Sequence, residues 1–278
     1  MISPLYGQLS PLRVPTTMRF ISNDADVVAY VFAVEAADGQ RLEDGVISAY
    51  DSFITGCKSD GIWSSIKASC ILAGARTLSG ALVPLVGSAP TNNNFVSGDY
   101  DRETGLKGNG STKYLNSNRN NNADGQNNFH ASIYRGEEIT VVHSASFLGA
   151  GGSGVAGRSA LQNNYISQFT NGYFVRARSS SAPLAAGSSQ NAAGFLGVSR
   201  ATANTISYFA PGNQSGTLSV TSETPYNGNI WVFALNNGGS ILSATNNRLS
   251  FYSIGESLNL SALDTRVSTL MTDLAAAI

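Results

Sequence analysis

From Thr112 onward, short runs of β-branched, aromatic and aliphatic residues alternate with turn-forming clusters at intervals of about ten residues. That spacing constrains the fold more than any other feature, because strands of this length must pair at once and close on themselves. The expected strands are 113–116, 130–134, 140–148, 165–169, 173–178, 194–200, 205–209, 217–221, 230–235, 241–243 and 249–254. Asn171-Gly172 between two aromatic runs marks a tight hairpin. Pro211-Gly212-Asn213 and the stretch 236–239 mark looser turns. The pattern predicts a sandwich or barrel, with residues 91–257 as its domain.

Helical periodicity is confined to the two ends. Asn23 is placed to cap a helix over 24–37, with Asp26 at its positive end, Gly39 after it, and Val27, Tyr30, Val31 and Val34 on one stripe. Residues 43–58 repeat apolar side chains at Val46, Tyr50, Phe53, Ile54 and Cys57, a clear amphipathic period. A short third helix is expected over 60–67, burying Ile62, Trp63 and Ile66, and short apolar runs at 70–73 and 82–86 suit buried strands. Residues 21–90 therefore read as a helical region. A last helix over 261–277, with Ser261 and Asp264 as its capping pair, carries Leu260, Leu263, Val267, Leu270, Leu274 and Ile278 on one stripe. As part of segment 258–278, it is expected to dock on the first two helices. The fold class is mainly β: an antiparallel β-sandwich with a small helical layer from both ends of the chain.

Residues 1–20 hold Pro4, Pro11 and Pro15, which forbid a helix and favour an extended arm. Its apolar residues Leu5, Tyr6, Leu9 and Leu12 need cover. They are expected to bind a neighbouring subunit or another protein; wrapping the chain's own helices is the alternative.

Charged residues make up 13% of the 278 residues, with a net charge of −1 and a pI near 6.1. This is about half the usual charged share. The surface must be built from Ser, Thr, Asn and 29 Gly instead, which suits an all-β extracellular or virion protein and suits a helical enzyme poorly. No basic run is present, so nucleic acid is not expected as a partner. Arg176 and Arg178 alternate on one strand face and read as a solvated edge. No apolar run reaches the ~20 residues that span a bilayer, and no secretory leader pattern is visible. Cys57 and Cys70 fall in apolar segments and read as buried thiols, in keeping with synthesis in a reducing cytoplasm.

The segment Gly98-Asp-Tyr-Asp-Arg-Glu-Thr-Gly-Leu106, followed by Gly110-Ser-Thr-Lys-Tyr-Leu115 and a nearly uncharged Asn-rich loop, resembles a module of tailed-bacteriophage virion proteins. That module is a concanavalin A-like (laminin-G-like) jelly roll. The resemblance continues through residues 195–200 and 251–256 and spans most of the chain, but marks fold and lineage rather than a site. It implies a structural virion component, either a head-decoration (cement) protein or a tail-associated protein. Such a protein is made in the bacterial host cytoplasm. It works through contacts with other capsid or tail proteins, as a homo-oligomer such as a trimer. The alternative is a carbohydrate-binding adhesin module for host attachment. Tyr100, Tyr173 and Tyr226, with Trp231, are its candidate glycan contacts, since aromatic and Asn side chains on β loops suit sugars.

Motifs that suggest catalysis or cofactors lack their required context. Gly152-Ser-Gly-Val-Ala-Gly157 matches a dinucleotide pattern, but no βαβ unit or later acidic residue accompanies it. Ser64-Ser-Ile-Lys67 has neither of the partner motifs found in penicillin-recognising enzymes. The two histidines, His130 and His143, read as packed strand residues. Asn120, Asn122 and Asp124 mimic half a calcium loop, but Ala131 stands where the bidentate Glu belongs, so any calcium site would be weak. Asp99, Asp101 and Glu103 could add oxygens to it, or form a solvated turn. Glu137, Glu138, Glu223 and Glu256 read as solvated turn residues, which gives no carboxylate pair for glycan cleavage. The expectation is a non-enzyme without a resident cofactor.

Overall fold

The computed structural model describes residues 21–138, 145–163, 172–181, 183–186 and 192–278. In chain order the elements begin with α1 (Ala25–Asp38), α2 (Asp44–Ser59), β1 (Ile66–Ile71), α3 (Leu78–Ala81), β2 (Thr91–Asn93), β3 (Tyr100–Asp101) and β4 (Gly105–Lys107). There follow β5 (Tyr114–Asn120), β6 (Phe129–Arg135), β7 (Ser146–Gly151), β8 (Ser159–Asn163), β9 (Gly172–Arg176), β10 (Leu184–Ala186) and β11 (Gly194–Arg200). The chain closes with β12 (Thr205–Ala210), β13 (Gln214–Ser219), β14 (Asn229–Val232), β15 (Leu235–Asn237), β16 (Ser240–Leu242), β17 (Arg248–Gly255) and α4 (Leu260–Ala277).

The strands form two sheets. An eight-stranded sheet runs β13-β12-β11-β6-β17-β4-β3, and β1 joins β17 on the edge it shares with β4. A nine-stranded sheet runs β10-β9-β8-β7-β14-β5-β2, with the β15–β16 hairpin attached to β7. Pairing is antiparallel except between β15 and β7. The molecule is thus the expected β-sandwich, with the helices forming a third layer against the eight-stranded sheet.

That third layer explains the apolar runs in the eight-stranded sheet, which is buried on both faces. Phe195, Phe209, Phe251 and Ile71 face the helices, while Leu196, Val198, Tyr252, Cys70 and Leu72 face the other sheet. On the helical side Val27, Val31 and Val34 of α1, Tyr50, Phe53 and Ile54 of α2, and Leu263, Val267, Leu270 and Leu274 of α4 are all buried. Gly45 of α2 lies where a Cβ would sit 2.7 Å from the Ala277 Cβ. A glycine, which otherwise weakens a helix, is what lets α4 approach here.

Several local expectations are corrected. The α1 cap is Asp24, not Asn23: its carboxylate accepts from the Asp26 and Val27 amides. The α4 cap is Asn259 rather than Ser261. The third helix is absent. Gly61, at φ 70, ends the turn after α2, a 3-10 turn covers Trp63–Ser65, and Ile66 starts a strand paired with β17. Residues 21–90 are therefore not purely helical. At 82–86 there is no strand element, only an isolated bridge between Ser69 and Val86. The arm residues Leu5, Tyr6, Leu9 and Leu12, the strand expected at 165–169 and His143 lie outside the described residues.

Candidate functional site

At one end of the sandwich the loops after β5, β7, β11 and β13 meet the turn that follows β9. The Asn-rich loop 121–128 has no ladder to satisfy its carbonyls, and such groups need donors from elsewhere. Arg178 supplies them. It is fully buried, its backbone adopts φ 57, and its guanidinium donates to the carbonyls of Gly125, Asn128 (3.3 Å) and Asn121 (2.9 Å). The same group lies 4.7 Å from the centroid of the Phe129 ring, so the cation is covered by a π face. Arg200, also fully buried, donates to the carbonyls of Ala177 (2.7 Å), Val220 (2.9 Å) and Thr202 (3.0 Å). Arg119 holds Asp124 at 2.5 Å. The expected solvated edge at Arg176 and Arg178 is thus corrected: β9 stops at Arg176, and the left-handed backbone at Arg178 turns that side chain inward.

Glu223 ties three loops together. It accepts from the Gly157 amide at 2.7 Å and from the Ser180 hydroxyl at 2.5 Å, and the Ser180 bond holds its carboxyl below the ordinary value. It is not the solvated turn residue expected. The Gly-rich segment 152–157 serves this clamp. Gly157 has φ 63, and its carbonyl accepts from the Tyr226 amide and the buried Asn121 side chain. Asn120 bridges to Asn227 at 2.8 Å, and Gln126 to Ser222 at 2.9 Å. The side chains left toward solvent are neutral: Asn122, Asn127, Thr221 and Asn227 are exposed, with half-buried Tyr226 among them. Gly152 and Gly228 bracket the Tyr226 ring, since Cβ atoms there would lie 3.1 Å and 2.4 Å from it. The result is a rigid, neutral, hydroxyl- and amide-bearing rim.

Of the candidate glycan residues, only Tyr226 stands at this rim. Tyr173 is fully buried in the sandwich core. Tyr100 is tucked between the two cores with its hydroxyl on the Ala75 carbonyl at 2.7 Å, and burial pushes that hydroxyl well above its ordinary value. Trp231 is 7% exposed and stacks with Tyr114, ring centroids 4.0 Å apart, on the outer face of the nine-stranded sheet. Tyr100 and Tyr173 are therefore corrected to structural residues.

No acid–base or nucleophilic constellation forms among the described residues. His130 is fully buried, with Nδ1 2.6 Å from the Glu256 carbonyl and Nε2 2.7 Å from the Ser253 hydroxyl. Burial pushes it down to about 4. Glu256 pairs with Lys67, Glu137 with Lys107 and Arg248, and Asp99 with Lys113. Asp101 accepts from the amides of Glu103 and Thr104 within its own turn. The calcium-like oxygens are likewise engaged: Asn120 Oδ1 accepts from the Asn122 and Gly228 amides, and Asp124 is on Arg119. Among the described residues, no three His, Cys, Asp or Glu side chains gather as metal ligands. Cys57 and Cys70 are buried and free, and burial pushes each thiol up to about 12. No described helix is long and apolar enough to cross a membrane. Apart from the rim, a groove of about 410 Å³ lies between Met271 and Thr272 of α4, the sheet residues Tyr134 and Ser250, and Glu103 and Thr104 of the β3–β4 turn.

The arginine hub was missed in the sequence, although a signal for it exists. Between residues 139 and 247 the chain carries Arg158, Arg176, Arg178 and Arg200 against Glu223 alone. Cations without carboxylates must find carbonyls or other acceptors.

The sequence matches no protein-family model and has no significant match among curated proteins. Three solved structures overlap with the fold in part. A carbohydrate-binding module of a Ruminococcus gnavus sialidase, bound to α2,3-sialyllactose, is 11% identical over 50% of this chain and 82% of that one, with a TM-score of 0.39. Domain 4 of an extracellular arabinanase from Geobacillus stearothermophilus, in complex with arabinotriose, is 14% identical over 65% of this chain and 82% of that one, with a TM-score of 0.40. A Trypanosoma rangeli sialidase is 11% identical over 76% of this chain and 33% of that one, with a TM-score of 0.41.

Proposed function

We propose that the protein is a non-catalytic structural component of a tailed-phage virion that works through surface contacts. One observation carries the non-catalytic part: His130, Asp99, Asp124, Glu137, Glu223 and Glu256 are spent on internal hydrogen bonds, ion pairs and loop clamps. The phage part is supported by the resemblance of residues 98–106 and 110–115 to virion modules. On this reading the protein is made in the host cytoplasm, assembles as a homo-oligomer and docks on capsid or tail proteins, with residues 1–20 as a tether. Cryo-EM of the particle tests it. Density for the sandwich on the capsid lattice, neck or tail is expected, and purified particles without this chain would refute the assignment. Turnover of nucleotides, peptides or glycans that disappears in Glu256→Ala or His130→Ala would overturn the non-enzyme part.

A second reading, a glycan-binding adhesin module, is favoured by the rim. Its loops are fixed by Arg178, Arg200 and Glu223, so neutral amides and the Tyr226 ring meet a ligand already ordered, which lowers the cost of binding. Tyr226→Ala should abolish retention on host-surface glycan while leaving the melting temperature within about 2 °C, as a modest loss of partly buried surface implies.

A further inference from the structure

The outer face of the nine-stranded sheet carries a second set of polar groups, whose placement follows from strand register. Thr91 pairs with Asn116, Asn116 with Trp231, Trp231 with Gly149, Gly149 with Ala160, and Ala160 with Arg176. Directly paired residues share a face, so these six form one row across the sheet. The next row, Leu115, Val232, Leu148, Leu161 and Val175, is the sandwich core, which puts the Arg176 row outside. Arg158 stands two residues before Ala160 and so lies on the same face as Arg176, diagonally across from it. It crosses Gly151, where a Cβ would sit 2.5 Å from its Nε.

These two guanidiniums are short of partners. Arg158 is 7% exposed and donates from Nη2 to the Gly152 carbonyl at 3.0 Å, while its Nε has no acceptor. Arg176 donates from Nη1 to Gln162 Oε1 at 2.6 Å, and its Nε also has no acceptor. Among the described residues neither has a counter-ion. All 18 Asp and Glu residues lie within the described segments, and the ion pairs they form go to other cations. Burial, and then the charge of Arg158, push Arg176 down to about 10. Two like charges side by side in a half-buried site are unfavourable unless an anion joins them, and the guanidinium fork suits a planar carboxylate or a sulfate. Beside them Asn237, in register with Gly151, leaves a buried Oδ1 without a donor. A ligand that satisfies all three must bring both an anionic group and a hydroxyl.

We propose that this face binds an acidic saccharide, with its carboxylate or sulfate between Arg158 and Arg176 and a hydroxyl donating to Asn237. Half-buried Tyr114, stacked on Trp231, lies further along the same sheet face, beside Asn116, and is the ring available to a neighbouring sugar. The proposal deepens the glycan reading by naming the ligand class, and for the word saccharide it rests on that reading.

Isothermal titration of the full chain with D-glucuronate, inorganic sulfate and D-glucose tests it, at ionic strength held constant with chloride. Saturable binding of glucuronate and sulfate but not glucose is expected. Arg176→Gln should weaken both at least tenfold with an unchanged circular dichroism spectrum, and Arg176→Lys, which keeps charge but loses the fork, should weaken them less. Sulfate binding without glucuronate binding overturns the saccharide assignment, and binding of neither overturns the site. If Tyr226→Ala abolishes glucuronate binding while Arg176→Gln retains it, the rim reading stands and this one falls.

Discussion

His130 stays neutral because burial outweighs the hydrogen bond it makes to the Glu256 carbonyl. Its folded value of about 4 lies below the ordinary 6.5. As pH falls from about 6.5 the unfolded chain takes up the proton first, so stability declines until about pH 4 and then levels. The shift corresponds to about 3 kcal/mol. Urea unfolding at pH 7 and pH 4.5 should show most of that loss in the native chain and little of it in His130→Gln; equal slopes would mean that His130 does not titrate this way. Gly157 poses a different constraint. Its φ is 63, and an added Cβ would lie 1.9 Å from the Thr224 carbonyl oxygen. Gly157→Ala should therefore cost about 3 kcal/mol, from strain and displacement of the Glu223 clamp, read as a lower urea midpoint. At this scale the sequence conveyed residue type but not burial. Tyr173 and Tyr226 look alike as loop-flanking tyrosines, and only strand pairing makes one core and the other rim. Arg178 could not be placed because one left-handed residue reverses its side-chain direction.

The helices were legible where they are one-sided. The stripes of α2 and α4 repeat at the helical period because each has one face on the second core and one in solvent. The caps of α1 and α4 slipped by one or two residues because Asn23 and Asp24, or Asn259 and Ser261, can each accept from the first-turn amides. β1 was read only at its end, where 70–73 suits a buried strand, and its start was taken for helix for the opposite reason: Ala68, Cys70 and Ile71 are buried on one side or the other, so the two-residue alternation that marks a strand is missing. The α4 contact can be tested directly. Leu263 is fully buried between α2 and the sheet layer, so Leu263→Ala should cost about 2–5 kcal/mol. Truncation at Ser257 removes six buried side chains, each contributing roughly 1.5–3 kcal/mol before ordering entropy. The truncated chain should be insoluble or melt far lower; an unchanged melting temperature would show that α4 is dispensable.

On the scale of the whole molecule, the two-sheet architecture was legible from strand spacing, but the strand order was not. β6 lies between β11 and β17, and β1 pairs with β17 across most of the chain; such pairings follow from packing the whole chain, which no local pattern encodes. Among the described residues the buried members of both cores run from Val27 onward, with Ile21 packed against the helical core, which bears on the arm. If residues 1–20 serve as a tether to another subunit or virion protein, deleting residues 2–16 leaves both cores intact. The far-UV circular dichroism spectrum should then be unchanged and the melting temperature shift by less than about 2 °C, where 1 kcal/mol corresponds to about 2–4 °C for a domain of this size. Oligomer formation, measured by light scattering, and incorporation into particles should be lost. A melting temperature lowered by more than about 5 °C with assembly unchanged would show that the arm covers its own chain, and the tether would be ruled out.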